Sequence, residues 1–279
     1  MNLINFNGQL FPADRPIFTA NSRSLKYGDG LFETIRMFDG RLPFWERHYN
    51  RLEKGFEVLK FQIPDYYHAD FFKSEIQKLV GKRGNARIRL SVNRKANGLY
   101  LPLDQSTDFL IEANPLNSNE FTWETRGLKV DLYEDHSLPT HKISSLKTAN
   151  GLAYILAAIY KKEQGLDDCL ILNDAGAIAE ASSSNLFCYY NKALHTTDEQ
   201  QGAVAGTMQA ICIELAQQEG IEVKQGALSP EFILEAEEVF LTNAIHGIRW
   251  IQGFREKEYT CHFSQKIFKA LLQKTKENQ

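Results

Sequence analysis

Two charged residues, a lysine and a glutamate, stand in surroundings that are unusual for their type. Lys147 comes just before a long, mostly apolar stretch in HKISSLKTANGLAYILAAIYKK. A lysine that loses hydration in an apolar site becomes a better nucleophile and can form a Schiff base with a carbonyl. Glu180 lies between AGAIA and a serine cluster, and a buried carboxylate needs a partner that shares a proton. Lys142 competes for the role of the lysine. The alternatives are an ordinary lysine at a helix start for Lys147 and an exposed turn residue for Glu180.

A third segment, GAVAGTMQAICI, has features of an anion site. Gly202 and Gly206 lie in a loop that opens a predicted helix. The backbone N–H groups and the positive dipole end of a helix start favour a phosphate. The segment lacks the lysine of a P-loop and the spacing of a dinucleotide fingerprint, so a plain loop-to-helix junction is the alternative.

The combination is more informative than its parts. A lysine for an aldehyde, a carboxylate for a ring nitrogen and a helix start for a phosphate match the three groups by which proteins hold pyridoxal phosphate. The carboxylate would keep the pyridine nitrogen protonated, so that the ring withdraws electrons from a carbanion. The sequence therefore predicts this cofactor.

Length, composition and charge favour a globular protein with small partners. The chain has 279 residues, of which 43% are hydrophobic and 24% charged, with a net charge of −3. This length allows one large or two ordinary domains. The charge gives no broad attraction to nucleic acid or to anionic lipid. We expect a small-molecule substrate, no nucleic acid and no membrane.

The four cysteines are scattered without a C-x-x-C pair, which favours buried thiols over zinc or dithiol chemistry. We assign no metal. The N-terminus is too short and polar for a signal peptide, and no apolar run approaches a membrane span. A reducing cytoplasm fits these features.

Paired strands and two helices are predicted in the N-terminal third. Asn7-Gly8 and Asp39-Gly40 each lie between apolar runs and predict hairpins. Apolar residues from Trp45 to Leu59 recur at helical spacing, and a second helix is expected around residues 67–80. ARIRLSVNR alternates apolar and polar residues, as a half-buried strand does.

The polar segment after DFLIEA is a candidate linker. Beyond it we expect strands at LKVDLY, CLILND and LFCYY and a hairpin through NKALHTT, followed by the segments IEVKQGAL and EVFLTN. Helices are expected from about Thr148 to Glu163, after Gly206, after Pro230 and at the C-terminus. This mixture favours an α+β protein, with domains at 1–114 and 123–279 joined by a linker at 115–122.

Six ordered blocks resemble the fold-type IV pyridoxal-phosphate enzymes, the class IV aminotransferase family. The blocks are SRSLKYGDGLFETIR, RHYNRL, SLKTANGL, EASSSNLF, AGTMQA and EVFLTNAIHGI. The resemblance runs nearly end to end. It implies a smaller α/β sandwich domain, a larger pseudo-barrel domain that carries the lysine, and a homodimer whose active site borrows a loop from the partner.

The resemblance also implies roles for individual residues. Lys147 matches the Schiff-base lysine, Glu180 the acid that faces the pyridine nitrogen, and Arg51 the arginine on the cofactor phosphate. His48 is expected to be a helix histidine next to that arginine. The remaining matches are Thr207 and Met208 at the phosphate, Ser183 near the ring, and Asn243 and Ala244 beside phosphate and substrate. The family usually has threonine where this chain has Ala244, a departure shared with the lyases of the family.

The branches of the family differ at several positions. Branched-chain aminotransferases typically carry glycine at the position of Thr34, and a tyrosine shortly after the lysine, where this chain has Gly151 and Leu152. D-amino acid aminotransferases use an Arg-x-His pair, which NRKANGLY lacks. The pattern favours the 4-amino-4-deoxychorismate lyases. The substrate-binding candidates are Tyr27, Thr34, Arg94 and Tyr100, and a solvated basic loop is the alternative for Arg94.

In that branch, proton loss from the substrate leads to elimination of pyruvate and leaves 4-aminobenzoate, a reaction of folate biosynthesis. A transaminase would instead return the proton to the cofactor carbon and release a keto acid. A non-catalytic pyridoxal-phosphate binder is the rival from another class. The retained lysine and glutamate argue against that rival.

Overall fold

The computed structural model describes residues 3–95 and 97–277, which form two compact units. The first unit contains residues 3–120, apart from the undescribed Ala96 of the NRKANGLY loop, together with 146–150. The second contains residues 121–145 and 151–277. Helices and strands are mixed in both, so the predicted α+β class is confirmed.

The first unit is built on an antiparallel sheet with the strand order β2-β1-β5-β4-β3. Its strands are β1 (Leu3–Phe6), β2 (Gln9–Pro12), β3 (Gly30–Met37), β4 (Ala86–Arg94) and β5 (Thr107–Pro115). Its helices are α1 (Arg23–Tyr27), α2 (Trp45–Val58) and α3 (Ala69–Val80).

The core of the first unit joins β3, β4 and β5 to α2 and α3. Apolar residues of α2 recur every three or four positions, so one face buries Leu52 and Phe56 against the sheet residues Ile35 and Ile88. Phe72 of α3 joins the same cluster. This packing fixes α2 over β3.

The second unit contains a sheet that curls as a half-barrel, in the order β11-β10-β9-β12-β13-β6-β7-β8, with β14 paired to β13. Its strands are β6 (Leu128–Leu138), β7 (Asp168–Asn173), β8 (Ile178–Ala181), β9 (Asn185–Tyr190), β10 (Ala193–Thr196), β11 (Glu222–Gln225), β12 (Glu238–Asn243), β13 (Gly247–Phe254) and β14 (Lys257–Glu258). Its helices are α4 (Leu152–Glu163), α5 (Thr207–Gln218), α6 (Pro230–Glu235) and α7 (His262–Glu277), with a 3-10 turn at Glu199–Gln201.

The strands of the second unit have strongly apolar, buried inner residues. One cluster includes Leu170, Ile178, Leu186 and Ile251, and a second lies under α4 around Ala157.

Of the helices in the described ranges, none combines the length and the apolar character that a membrane crossing requires.

Most predicted elements are confirmed, and three features differ. α4 begins at Leu152 instead of about Thr148, because Thr148 pairs with Leu31 of β3 in an extended conformation. Helix α1 and strands β8, β13 and β14 were not predicted. Segment 146–150 groups with the first unit, whereas the sequence placed it in the C-terminal domain. The domain limits 1–114, 115–122 and 123–279 stay a prediction.

Candidate active site

Lys147 lies in a short segment that bridges to β3, the edge strand of the first sheet. The Phe32 amide donates to the Lys147 carbonyl at 2.9 Å, and the Ala149 amide donates to the Gly30 carbonyl at 2.9 Å. The half-buried side chain places Nζ 4.8 Å from the centroid of the Phe32 ring. The sheet therefore fixes the backbone of the lysine.

Arg51, the predicted phosphate ligand, is held by a glutamate of β3. Its Nε donates to Glu33 Oε1 at 2.8 Å, and Nη2 donates to Glu33 Oε2 at 2.6 Å. His48, one helical turn earlier, contacts Glu33 Oε2 through Nδ1 at 2.7 Å. Glu33 is only 1% exposed. The paired geometry of carboxylate and guanidinium fixes the plane of the Arg51 head group.

The titration behaviour of this cluster follows from its burial and charges. Burial alone would raise the pKa of Glu33, but Arg51 and His48 outweigh it and lower that pKa to about 2. Burial lowers the pKa of His48, Arg51 and Lys147 lower it further, and Glu33 opposes them. Glu33 is therefore ionised at neutral pH, and a neutral His48 donates its Nδ1 proton to it.

Glu180 is buried in β8 of the second unit, with 4% of its surface exposed. The Tyr154 hydroxyl of α4 donates to Glu180 Oε1 at 2.6 Å. Burial raises the pKa of Tyr154, and the charge of Glu180 raises it further, so the phenol keeps its proton. The carboxylate was predicted from the sequence, whereas its phenolic donor was not.

The serines after Glu180 have different environments. Ser182 is buried, donates to Asp168 Oδ1 at 2.5 Å and accepts a hydrogen bond from Lys161 Nζ at 3.0 Å. Ser183, predicted to lie near the cofactor ring, is exposed. The Ala181–Ser184 backbone closes the turn with an amide-to-carbonyl bond of 2.8 Å. Ser182 thus anchors the turn that presents Ser183.

The last strand residue of β12 connects to the same turn. Asn243 Nδ2 donates to Ser184 Oγ at 3.0 Å. Asn243 Oδ1 accepts from the amides of Ile245 and His246 at 3.0 and 2.8 Å, which shapes the loop that contains Ala244. The structure therefore connects Asn243 to the serine turn, and Ala244 lies in the loop that follows it.

The start of α5 is crowded on one side. Asn185 Nδ2 donates to the Val204 carbonyl at 2.8 Å, and a Cβ at Gly206 would collide with the Asn185 side chain. Among the described residues, no side chain caps this helix. The first N–H groups of a helix have no intrahelical partner, so the amides at Thr207 and Met208 suit an anion.

The four substrate-binding candidates fall into different environments. Tyr27 and Tyr100 lie together, with ring centroids 5.4 Å apart. Thr34 is half-buried in β3. Arg94 is buried, with Nε bound to Asp29 at 3.0 Å and Nη2 to the Leu59 carbonyl at 2.7 Å. These contacts give Arg94 a structural position, and its substrate role stays a prediction.

Arg23 holds the loop that contains Tyr100, a role that was not predicted from the sequence. Its Nε pairs with Asp29 at 2.7 Å. Its terminal nitrogens donate to the carbonyls of Asn97 at 3.4 Å, of Tyr100 at 3.3 Å and of Leu99. Asp29 thus links Arg23 to the Arg94 described above.

Comparison with known proteins identifies the class to which these features belong. The chain matches the amino-transferase class IV family over residues 30–254, and it belongs to this family. The family uses pyridoxal phosphate, so the chain is a pyridoxal-phosphate-dependent enzyme, as the sequence predicted.

Individual relatives lie in more than one branch. The chain is 25% identical over 244 residues to an aminodeoxychorismate lyase from Vibrio harveyi, covering 86% of this chain and 89% of the relative. It is 26% identical over 270 residues to the branched-chain-amino-acid aminotransferase of Escherichia coli strain K12, covering 92% and 87%. The solved structure of a 4-amino-4-deoxychorismate lyase from Pseudomonas aeruginosa superposes with a TM-score of 0.84 at 25% identity, over 96% of this chain and 98% of that one.

The residues present fit the cofactor. Pyridoxal phosphate offers an aldehyde, a ring nitrogen and a phosphate. The structure supplies a half-buried lysine, a buried carboxylate with a phenolic donor, an oriented guanidinium and a helix start. Two signals for the missed residues were present in the sequence. Glu33 interrupts the apolar alternation of Leu31 and Ile35, and Tyr154 lies in the helix after Lys147.

Proposed function

We propose that this chain is a lyase that removes pyruvate from 4-amino-4-deoxychorismate and leaves 4-aminobenzoate. The position of Thr34 supports this choice. Side chains alternate along a strand, so Thr34 shares a face of β3 with Phe32, whose ring lies 4.8 Å from the Lys147 amine. The resemblance gives glycine here in branched-chain aminotransferases. A hydroxyl on this face suits a hydrogen bond to the departing group.

The proposed roles follow the chemistry of each side chain. Lys147 would hold the cofactor aldehyde, and its Nζ, once displaced by the substrate amine, would accept and return protons as general base and acid. Glu180 would bind the ring nitrogen. Arg51, Thr207 and Met208 would bind the phosphate, with Ser183, Asn243 and Ala244 beside them. Bound pyridoxal phosphate supplies an electron sink for the carbon that loses its proton.

Attachment of the cofactor tests Lys147 directly. The protein is loaded with pyridoxal phosphate, treated with borohydride and digested, and the peptides are weighed. We expect the reduced cofactor on Lys147. Lys147→Ala should lose the label and the visible absorption, whereas the matched variant of the neighbouring exposed lysine, Lys142→Ala, should keep both. A label on another lysine would contradict the proposal.

The reaction is tested by its products. With 4-amino-4-deoxychorismate we expect equal amounts of pyruvate and 4-aminobenzoate. Thr34→Val, which keeps the shape and removes the hydroxyl, should slow the reaction about tenfold or more, as for one lost transition-state hydrogen bond. Thr34→Ser, which keeps the hydroxyl, should retain most of the rate. Equal rates in both variants would remove the support that Thr34 gives.

A branched-chain aminotransferase is the second candidate, because the chain is 26% identical to one over 92% of its length. It would convert the cofactor to its amine form with a branched-chain amino acid and give no pyruvate from the chorismate compound. Attachment to Lys147 with neither reaction would favour a non-catalytic binder.

We further propose a homodimer. One face of α4 exposes four aliphatic residues at helical spacing, while the other face packs on β6 and β7; they are Leu152, Ile155, Leu156 and Ile159. Monomers rarely expose a contiguous apolar patch of this kind. Light scattering should give twice the mass of one chain for the wild type and for the control Leu25→Glu. Ile155→Glu should give single chains.

The proposed compartment is the cytoplasm, in agreement with the thiol chemistry. Cys169, Cys188 and Cys212 are buried free thiols, and burial raises the pKa of the Cys169 thiol to about 12. Such thiols need no oxidising environment. Fractionation of the native cell would test this assignment, and recovery outside the cytoplasm would contradict it.

A further inference from the structure

The contact between Tyr154 and Glu180 gives the buried carboxylate a donor from the protein itself. The oxygen-to-oxygen distance is 2.6 Å, which is typical of a hydroxyl bound to an ionised carboxylate. Glu180 is fixed in β8, where it pairs with Ile171 of β7. Tyr154 comes from a different element, the first turn of α4.

The orientation of α4 explains why a tyrosine can reach this position. Its large aliphatic residues face outwards, and the inward face presents Tyr154, Ala157 and Tyr160 to the strands. Tyr154 packs in a cluster with Tyr133 and Cys169, so its ring has little freedom to turn away. The phenol therefore meets the carboxylate from a packed, fixed helix face.

We infer that Tyr154 is a positioning residue that holds the Glu180 carboxylate ionised and correctly oriented for the cofactor ring nitrogen. This inference rests on the proposed role of Glu180. A carboxylate has two oxygens with about four acceptor sites, so it can bind a phenol and a pyridinium N–H together. A hydrogen bond from a hydroxyl favours the ionised form of a carboxylate over the protonated form, and a protonated acid is a poor acceptor for a pyridinium.

The raised pKa of Tyr154 agrees with this assignment of the proton, because burial and the nearby anion both oppose ionisation of the phenol. The alternative is that Tyr154 only stabilises the fold.

The positioning role and the purely structural role are distinguished by a measurement that depends on the ring nitrogen alone. Pyridoxal phosphate and its 1-deaza analogue, in which carbon replaces that nitrogen, differ at only this atom.

The experiment compares the dissociation constants of the two compounds for each variant. The wild type should prefer pyridoxal phosphate over the analogue, and Glu180→Gln should lose most of this preference. Tyr154→Phe, which keeps the ring, should reduce the preference about tenfold, the effect of one hydrogen bond to a charged group. Tyr160→Phe is the matched control, since it removes a hydroxyl from the same helix, and it should keep the wild-type preference.

The outcomes separate the inference from the function on which it rests. If the wild type and Tyr154→Phe show the same preference, or the variant a larger one, the positioning role is overturned while the proposed function stands. If the wild type shows no preference for pyridoxal phosphate, or the cofactor is absent from Lys147, both the inference and the proposed function fail. In the Glu180→Gln background, Tyr154→Phe should not change the preference for pyridoxal phosphate further. A further loss of that preference would also overturn the inference. A purely structural role would weaken both compounds equally.

Discussion

Arg51 and Glu33 form a paired ion contact in the first unit, with Nε to Oε1 at 2.8 Å and Nη2 to Oε2 at 2.6 Å. Two of the five N–H donors of the guanidinium are used in this way, and the plane of the group is set by them. His48 binds the same carboxylate, so α2 and β3 are joined by one buried cluster. An arginine oriented in this way meets a phosphate without further loss of side-chain freedom.

Glu33→Gln should destabilise the protein by about 3 kcal/mol, because it leaves the Arg51 charge without its buried counter-ion. Urea unfolding followed by circular dichroism measures the change. Glu112→Gln is the control, since Glu112 is a half-exposed partner of Arg89 at 4.0 Å, and it should cost less than about 1 kcal/mol. Similar losses of unfolding free energy in the two variants would show that the buried contact of Glu33 stabilises the protein no more than the contact of Glu112 does.

The stability difference between wild type and Glu33→Gln should depend on pH. The pKa of Glu33 falls from 4.5 to about 2 on folding, so the folded state binds this proton more weakly than the unfolded state. The contribution of Glu33 is therefore complete above about pH 5 and is lost as the pH falls through 4.5 towards 2. Urea midpoints measured over this range should converge at acid pH. Parallel curves down to about pH 3 would contradict the prediction.

Ser182 and Ser183 are adjacent but should respond differently to replacement by alanine. Ser182→Ala removes a buried hydroxyl from Asp168 and Lys161 and should cost about 1–3 kcal/mol of unfolding free energy. Ser183→Ala alters an exposed side chain and should change stability by less than about 0.5 kcal/mol. If Ser183 lies near the ring as predicted, its variant should instead weaken cofactor binding. Equal thermal midpoints for the two variants would contradict the assignment.

The sequence predicted most elements because their patterns are local. Alternation marks β4, helical spacing marks α2, and Asn7-Gly8 adopts the positive φ angles of 50° and 85° that a tight hairpin requires. Family blocks predicted Lys147, Glu180 and Arg51, because each lies within a short ordered motif. Spacing alone could not exclude a helix at Thr148, since the pairing with Leu31 is a contact distant in sequence.

The contacts that sequence reasoning missed join residues distant in sequence. Arg94 was a substrate-binding candidate with a solvated basic loop as the alternative, and its contact with Asp29, 65 positions away, could not be inferred. Tyr154 was passed over because its partner Glu180 follows it by 26 positions. α4 exposes its aliphatic residues, so its inward face could not be inferred from hydrophobicity. These contacts and the inward face of α4 could be identified only from the folded structure.

The Gly206 position gives a test of the α5 start by steric means alone. Its φ of −72° is open to any residue, so Gly206→Ala should be harmful only through the collision of the new Cβ with Asn185. We expect a loss of about 1–3 kcal/mol of stability, as in overpacked sites. Because Asn185 must move, pyridoxal phosphate should bind more weakly, whereas pyridoxal, which lacks the phosphate, should be affected less. The control Gly226→Ala adds its Cβ in open space, with nothing within 4 Å, and should be nearly neutral. Equal weakening of both compounds by Gly206→Ala would place the phosphate elsewhere.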